Sequence, residues 1–319
     1  MTVAIPILGD ALPDALRALL RDDVEVLAWP EEPAADVLER AEGIVCYGHP
    51  NVNGALMDRM PHLRVISNHG VGVDHIDVVA AVERGIPVGN TPGCLNNATA
   101  DMTMALLLAT ARNVVVGDKF ARGPEFTHYD PAILIGREVT GGTLGIVGMG
   151  RIGRQVARRA HGFDMEILYH NRSRDPQTEA ELGVQYVSLE ELLASCDFVS
   201  LNCPLTERTT GLISTSQFRQ MKPSAILINM ARGPVVDTDA LCQALTRGEI
   251  AAAGLDVTDP EPLPRDHPLL KLENVVLAPH LGSASDATRR RMIEMTAENL
   301  HAGLDRRELP YAVLGNRGV

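Results

Sequence analysis

Three segments in the second half of the chain each carry one reactive side chain among glycines and prolines. They are Asn229-Met230-Ala231-Arg232-Gly233, Asp256-Val257-Thr258-Asp259-Pro260-Glu261-Pro262 and Pro279-His280-Leu281-Gly282-Ser283. An imidazole titrates near neutral pH, so His280 is suited to give and recover a proton. Glu261, hydrogen-bonded to the other ring nitrogen, would orient that imidazole and stabilise its protonated form. Arg232 would span a carboxylate and an adjacent carbonyl, binding the anion and polarising the C=O bond. Singly, each has a plainer reading as a loop histidine, a turn acid between prolines or a surface ion pair. Together, each behind an apolar run, they form a catalytic set for carbonyl chemistry.

Upstream, Thr143-Leu144-Gly145-Ile146-Val147 is an apolar run followed by G-x-G-x-x-G, written Gly148-Met149-Gly150-Arg151-Ile152-Gly153, with a helix predicted to begin near Arg154. Gly148 permits a tight turn, Gly150 lets backbone N–H groups approach a pyrophosphate, and Gly153 lets the helix pack close to the strand. Between a strand and a helix this pattern reads as a dinucleotide-binding loop, whereas a bare glycine-rich turn would hold no ligand. About 20 residues further on, NAD-binding folds place an acid for the ribose hydroxyls. Here Asn171 stands in that place, followed by Arg172, Ser173 and Arg174. Two cations and a hydroxyl suit the extra phosphate of NADP(H), which a carboxylate would repel, so NADP(H) is the preferred cofactor and NAD(H) the possible one. The plainer reading of residues 170–174 is a solvated loop.

The elements that must position these groups follow from alternation. Apolar runs at 3–8, 24–28, 43–47 and 65–67 alternate with helix-like segments such as 13–21 and 36–41. A second series of candidate strands runs through 143–147, 166–169, 185–187, 198–201, 225–229, 252–256 and 275–278. This is the pattern of parallel α/β sheets, with ligands expected beyond the carboxyl ends of the strands. Long helices are expected at 98–112 and 285–303, the latter with Ser285 or Asp286 as its cap. The expected fold is α/β with two Rossmann-like, doubly wound domains. A dinucleotide domain, 98–283, would be inserted into a substrate (catalytic) domain made of 1–97 and 284–319.

The bulk composition narrows the setting. With 29 Lys plus Arg against 41 Asp plus Glu, the net charge of −12 offers no general field for nucleic acid or anionic lipid, so neither nucleic acid nor membrane is an expected partner. Aromatic residues make up 3%, too few for a base-stacking surface. The early apolar run is too short for a secretory segment, and the run at 102–111 is too short to span a bilayer. Five scattered cysteines without a C-x-x-C pair point to a reducing cytoplasm. His69, His75 and Cys94 match no known ligand spacing, so no metal is expected.

Together with Gly70-Val71-Gly72-Val73-Asp74-His75-Ile76-Asp77, these segments resemble the D-isomer-specific 2-hydroxyacid dehydrogenases along essentially the whole chain. Asn90-Thr91-Pro92-Gly93 and the Arg-Ser-Arg loop resemble the glyoxylate/hydroxypyruvate reductase and 2-ketogluconate reductase branch. The resemblance assigns proton transfer to His280, its orientation to Glu261 and substrate binding to Arg232. It also implies that the N–H groups of Val71 and Gly72 receive the substrate carboxylate. Thr99 would lie near the nicotinamide-side phosphate, and Cys203 and Pro204 beside the adenosine half. Asp256 would meet the nicotinamide amide, or serve simply as a strand-end acid. Asn202 departs from the family, where His often stands, while Glu261 separates the chain from formate dehydrogenases, which carry Gln there. The implied activity is reduction of glyoxylate, hydroxypyruvate or 2-ketogluconate by a homodimer built around 98–112, with Phe126, His128 and Tyr129 as candidate pocket residues. Two alternatives share the architecture: a dinucleotide-sensing corepressor, and an NAD-dependent dehydrogenase acting on another substrate class.

Overall fold

The computed structural model describes residues 4–9, 12–29 and 33–313; Val3, where the first expected strand begins, and the outermost ends of the expected substrate domain lie outside the described residues. The chain divides into two compact units, Met1–Leu95 with Ser285–Val319, and Asn96–Ala284.

The first unit opens with β1 (Ile5–Gly9), α1 (Asp14–Arg17), β2 (Val24–Leu27), α2 (Ala35–Arg40), β3 (Gly43–Cys46), α3 (Gly54–Asp58), β4 (Val65–Asn68), α4 (Val78–Glu83) and β5 (Val88–Gly89). Among the described residues its strands are parallel and number five, in the order β2-β1-β3-β4-β5. Parallel strands covered on both sides are apolar at successive positions, which is why they read as continuous runs. Leu8, Ile44 and Ile66 pack one face against Leu38, Met57 and Ala81. β5 escapes the sequence pattern because two residues between Pro87 and Asn90 show no periodicity; it is anchored where the Ile66 N–H donates to the Pro87 carbonyl at 3.1 Å.

The second unit comprises α5 (Asn96–Ala111), α6 (Val114–Arg122), β6 (Thr143–Val147), α7 (Arg151–Ala160), β7 (Glu166–His170), α8 (Pro176–Leu182), β8 (Gln185–Tyr186), α9 (Leu189–Ser195), β9 (Phe198–Leu201), α10 (Thr215–Phe218), β10 (Ile226–Asn229), α11 (Thr238–Arg247), β11 (Ala252–Leu255) and β12 (Val275–Leu277). Its seven strands are parallel in the order β12-β11-β10-β9-β6-β7-β8, so the winding reverses between β6 and β9. That reversal opens a crevice at the carboxyl ends of the sheet. The pleat sends alternate residues to opposite faces: Leu144, Ile146, Ile226 and Ile228 pack on one side, and Val147, Val199, Leu201 and Leu227 on the other. α7 starts at Arg151, earlier than the expected Arg154. Gly150 is the extended residue before it, and Arg154 makes the first helical bond, donating its N–H to the Gly150 carbonyl at 3.0 Å.

The last helix, α12 (Asp286–Leu304), completes the first unit, with Leu300 and Leu304 packing on Ile7, Val45 and Val65. Ser285 takes the N-cap position, but its side chain makes no capping hydrogen bond; the backbone holds the start instead, with Arg289 N–H donating to the Ser285 carbonyl at 2.8 Å. Among the described residues no single helix is long and apolar enough to cross a membrane.

Candidate active site

The glycine turn after β6 is shaped by what each missing side chain would hit. At Gly148, φ is +102°, and a Cβ would stand 2.5 Å from the Cys203 backbone nitrogen and 2.6 Å from the Asn202 carbonyl carbon. The β6 turn and the segment after β9 therefore meet backbone to backbone. A Cβ on Gly153 would collide with the Gly148 carbonyl oxygen, so α7 approaches its strand as only glycine allows. At Gly150 the same position opens onto space with no described protein atom within 4 Å. A helix N-terminus with no acidic residue in its first turn lies beside that space. This cradle fits a dinucleotide pyrophosphate; Met149 lies in the turn, and Arg151 and Ile152 open α7.

Asn171, at the end of β7, turns inward: its Oδ1 accepts from the Met149 N–H at 2.7 Å, tying the second strand to the glycine turn. The two arginines beyond it differ. Arg174 is clamped by Glu179, Nε and Nη2 donating at 2.8 and 2.7 Å. Arg172 and Ser173 are exposed, and Arg172 makes no ion pair among the described residues. Of the two cations expected at the cofactor phosphate, one is thus already engaged by a carboxylate. Pro204 lies on the adjoining β9 loop, its carbonyl accepting from Thr209 Oγ1 at 2.7 Å. Burial pushes the Cys203 thiol up to about 11, which keeps it from acting as a thiolate.

The three reactive loops of the second unit are stitched together by backbone. A Cβ on Gly233 would collide with the Thr258 carbonyl, so the Arg232 loop lies against the loop that carries Glu261. Thr238 Oγ1 donates to the Asp259 carbonyl at 2.9 Å, and Asn229 Nδ2 to the Arg232 carbonyl at 3.0 Å. Arg232 Nη1 donates to the Ala231 carbonyl at 2.9 Å. His280 and Glu261 meet directly: Nδ1–H donates to Oε1 at 2.8 Å. Asp256 secures the histidine loop, its two carboxylate oxygens accepting from Leu281 N–H at 2.6 Å and Gly282 N–H at 2.8 Å. Burial pushes the Asp256 carboxyl above the usual range, against the lowering by those two N–H groups. Thr99, on the first turn of α5, comes to the same place: a Cβ on Gly282 would meet Asp256 Oδ2 at 3.0 Å and Thr99 Cγ2 at 3.4 Å. Asn229 and Thr238 hold these loops without being singled out by sequence; their signal is a polar residue at a strand end or helix start.

Val71 and Gly72 lie in the first unit, half-buried in the turn after β4, and among the described residues their N–H groups donate to no protein acceptor. His69 and His75 take separate partners, Thr296 Oγ1 at 3.2 Å and Asn68 Oδ1 at 3.1 Å. Among the described residues no three His, Cys, Asp or Glu side chains form a group able to hold a metal.

The sequence profile of the D-isomer specific 2-hydroxyacid dehydrogenase NAD binding domain matches residues 104–282. A glyoxylate reductase of Korarchaeum cryptofilum is 48% identical over 306 residues, 94% of this chain and 92% of that protein. A glyoxylate reductase of Pyrococcus furiosus is 47% identical, covering 97% of this chain and 94% of its own length. Among solved structures, a Thermus thermophilus protein superposes with a TM-score of 0.88 at 46% identity, covering 97% of this chain and 99% of that one. An NADPH-dependent glyoxylate/hydroxypyruvate reductase of Sinorhizobium meliloti, in complex with NADP and malonate, gives a TM-score of 0.87 at 31% identity over 99% of both chains. The glycine cradle, the His–Glu pair and likeness along nearly the whole length lead to one conclusion: the chain belongs to the D-isomer specific 2-hydroxyacid dehydrogenase family and is an NAD(P)-dependent oxidoreductase.

Proposed function

We propose that this chain reduces a small 2-keto acid, glyoxylate first and hydroxypyruvate or 2-ketogluconate as further candidates, to the D-2-hydroxy acid with NADPH. The observation that carries this reading is the 2.8 Å hydrogen bond from His280 Nδ1 to Glu261 Oε1. It fixes the imidazole so that Nε2 is the atom that gives a proton to the substrate carbonyl oxygen. The reduced nicotinamide, when bound, supplies the hydride to the carbonyl carbon. Arg232 grips the substrate carboxylate and polarises the carbonyl, and the N–H groups of Val71 and Gly72 receive the carboxylate. Thr99 and Asp256, beside Gly282, attend the nicotinamide half, and Cys203 and Pro204 the adenosine half. Arg172 and Ser173 favour the cofactor with the extra phosphate, and Asn171 holds no charge that would repel it.

The choice of glyoxylate rests on likeness to glyoxylate reductases at 44–48% identity, which also favours turnover over a sensing role. We further propose a homodimer, and a cytoplasmic setting that suits five free thiols. The test is loss of reduced-nicotinamide absorbance with purified protein, NADPH and NADH each against glyoxylate, hydroxypyruvate, 2-ketogluconate and pyruvate. Turnover of glyoxylate with higher kcat/KM for NADPH is expected. Binding of the cofactor with no turnover of any keto acid would overturn the reading.

A further inference from the structure

The Asn90-Thr91-Pro92-Gly93 motif carries none of the reactive groups, but the side chain of Asn90 reaches the turn that holds Val71 and Gly72. A peptide plane is rigid and trans, so each C=O points opposite to the N–H of the next residue. Fixing the Gly70 carbonyl therefore fixes the direction of the Val71 N–H, and fixing the Val71 carbonyl fixes that of Gly72. Asparagine amides hold both. Asn68 Nδ2 donates to the Gly70 carbonyl at 3.1 Å and to the Gly72 carbonyl at 2.8 Å. Asn90 Nδ2 donates to the Val71 carbonyl at 2.9 Å.

Both amides are themselves fixed. Asn68 is 1% exposed, and its Oδ1 lies 3.1 Å from His75 Nε2, which makes Oδ1 the acceptor and turns Nδ2 to the loop. Asn90 is held through its backbone: its N–H donates to the Tyr311 carbonyl, and its C=O accepts from Asn299 Nδ2, each at 3.0 Å. The Gly70 carbonyl has a second donor in the Thr91 N–H at 3.0 Å, whereas Asn90 Nδ2 is the donor recorded for the Val71 carbonyl among the described residues. Glycine at 72 accepts either sign of φ, so the Val71–Gly72 peptide is free to flip unless something holds it.

We propose that Asn90, supported by Asn68, is a positioning residue for carboxylate capture: it locks the Val71–Gly72 peptide so that the Gly72 N–H faces the substrate and not the protein. The proposal rests on the reading that Val71 and Gly72 receive the carboxylate. Its occupant is an α-keto carboxylate or an unreducible dicarboxylate of the same spacing, such as oxalate.

The test follows the backbone-amide NMR signals of Val71 and Gly72 in the full chain, saturated with reduced cofactor, as oxalate is added. Steady-state reduction of glyoxylate is measured in parallel. In the parent protein both signals move. Asn90→Asp replaces the donor by an acceptor that repels the Val71 carbonyl; it abolishes the Gly72 response and raises the oxalate Kd and the glyoxylate KM about tenfold, as loss of one hydrogen bond to a charged group predicts. kcat at saturation, cofactor affinity and melting temperature stay near parental values, a split that a merely structural role would not give. Asn90→Ala, which adds no charge, gives the same split should the Asp variant fail to fold. Unchanged oxalate affinity and Gly72 response in both variants would overturn the proposal, as would parental amides that ignore oxalate. Amides that answer oxalate in an Asn90-dependent way, in a protein that reduces no keto acid, would support the proposal and refute the reductase reading.

Discussion

His280 stands at a backbone φ of 55°, a left-handed conformation that side chains other than Asn, Asp and His adopt reluctantly. Its N–H donates to the Asp256 carbonyl at 2.9 Å, so the backbone is held there while the ring reaches Glu261. Substitution by Ala would disturb both backbone and chemistry; Asn tolerates the same φ and removes only the imidazole. His280→Asn is therefore expected to lower kcat by roughly a hundred- to ten-thousandfold, the usual worth of a general acid, with cofactor Kd unchanged. Stopped-flow cofactor binding beside steady-state turnover checks this, and near-parental kcat would remove His280 from the chemistry. The cofactor loop gives a second residue-level outcome. Arg174 is engaged bidentately by Glu179, while Arg172 is exposed beside Ser173. Arg172→Ala should then weaken NADPH about tenfold and NADH little, with Arg174→Ala the milder of the two. The reverse order in titrations with both cofactors would assign the phosphate to Arg174.

At the scale of elements, the strand–turn–helix unit of β6 and α7 separates structural from ligand-facing glycines. Gly153→Val would drive a branched side chain into the Gly148 carbonyl and push α7 off its strand. It should cost about 1–3 kcal/mol in stability as well as dinucleotide affinity. Gly150→Ala meets open space on the protein side, so it should weaken both cofactors while leaving the melting temperature unchanged. Calorimetry and cofactor titration on the two variants check the distinction; an equal fall in melting temperature for both would refute it. The same unit marks how far sequence reaches. Glycine spacing and apolar runs are local, so the strands of the second sheet and the doubly wound class were legible. The start of α7 was not, because it depends on Gly150 adopting an extended conformation before the first helical bond forms. Nor was β5, whose pairing is long-range. In the site, the Arg, Glu and His stood out by type, but the Asn68, Asn90, Asn229 and Asp256 contacts that hold loops in place depend on distances no spacing encodes.

For the whole molecule, two properties follow from surface and burial. Half of the residues of α5 are buried, whereas α6 buries none of its residues, and Val114, Phe126, Tyr129 and Ile135 beyond α5 are 54%, 49%, 81% and 78% exposed. An apolar stretch of this kind suits an interface, so the proposed homodimer is expected to use residues 114–135 as well as the expected 98–112. Tyr129→Glu with Ile135→Glu should shift sedimentation from dimer towards monomer, and a parental dimer in that variant would place the interface elsewhere. The second property is pH dependence. Thr296 Oγ1 spends its proton on the Met292 carbonyl at 2.7 Å, so His69 Nδ1–H must be the donor in the 3.2 Å contact between them. His69 Nε2 is then a bare lone pair, buried and without a partner among the described residues. Burial, aided by Arg289, lowers the His69 pKa to about 4. The net charge of −12 works the other way, but distant charges are screened within about 10 Å, so local desolvation wins. Between pH ~6.5 and ~4 the unfolded chain takes up a proton at this histidine that the folded chain refuses. Stability is thus full above pH ~6.5 and lost as pH falls towards 4, by about 3 kcal/mol from this group. His69→Phe keeps a ring against Tyr47, 4.8 Å away, but cannot titrate. Its melting temperature should fall less steeply with acidification than the parent's, and parallel curves through this window would show that His69 is not the group responsible.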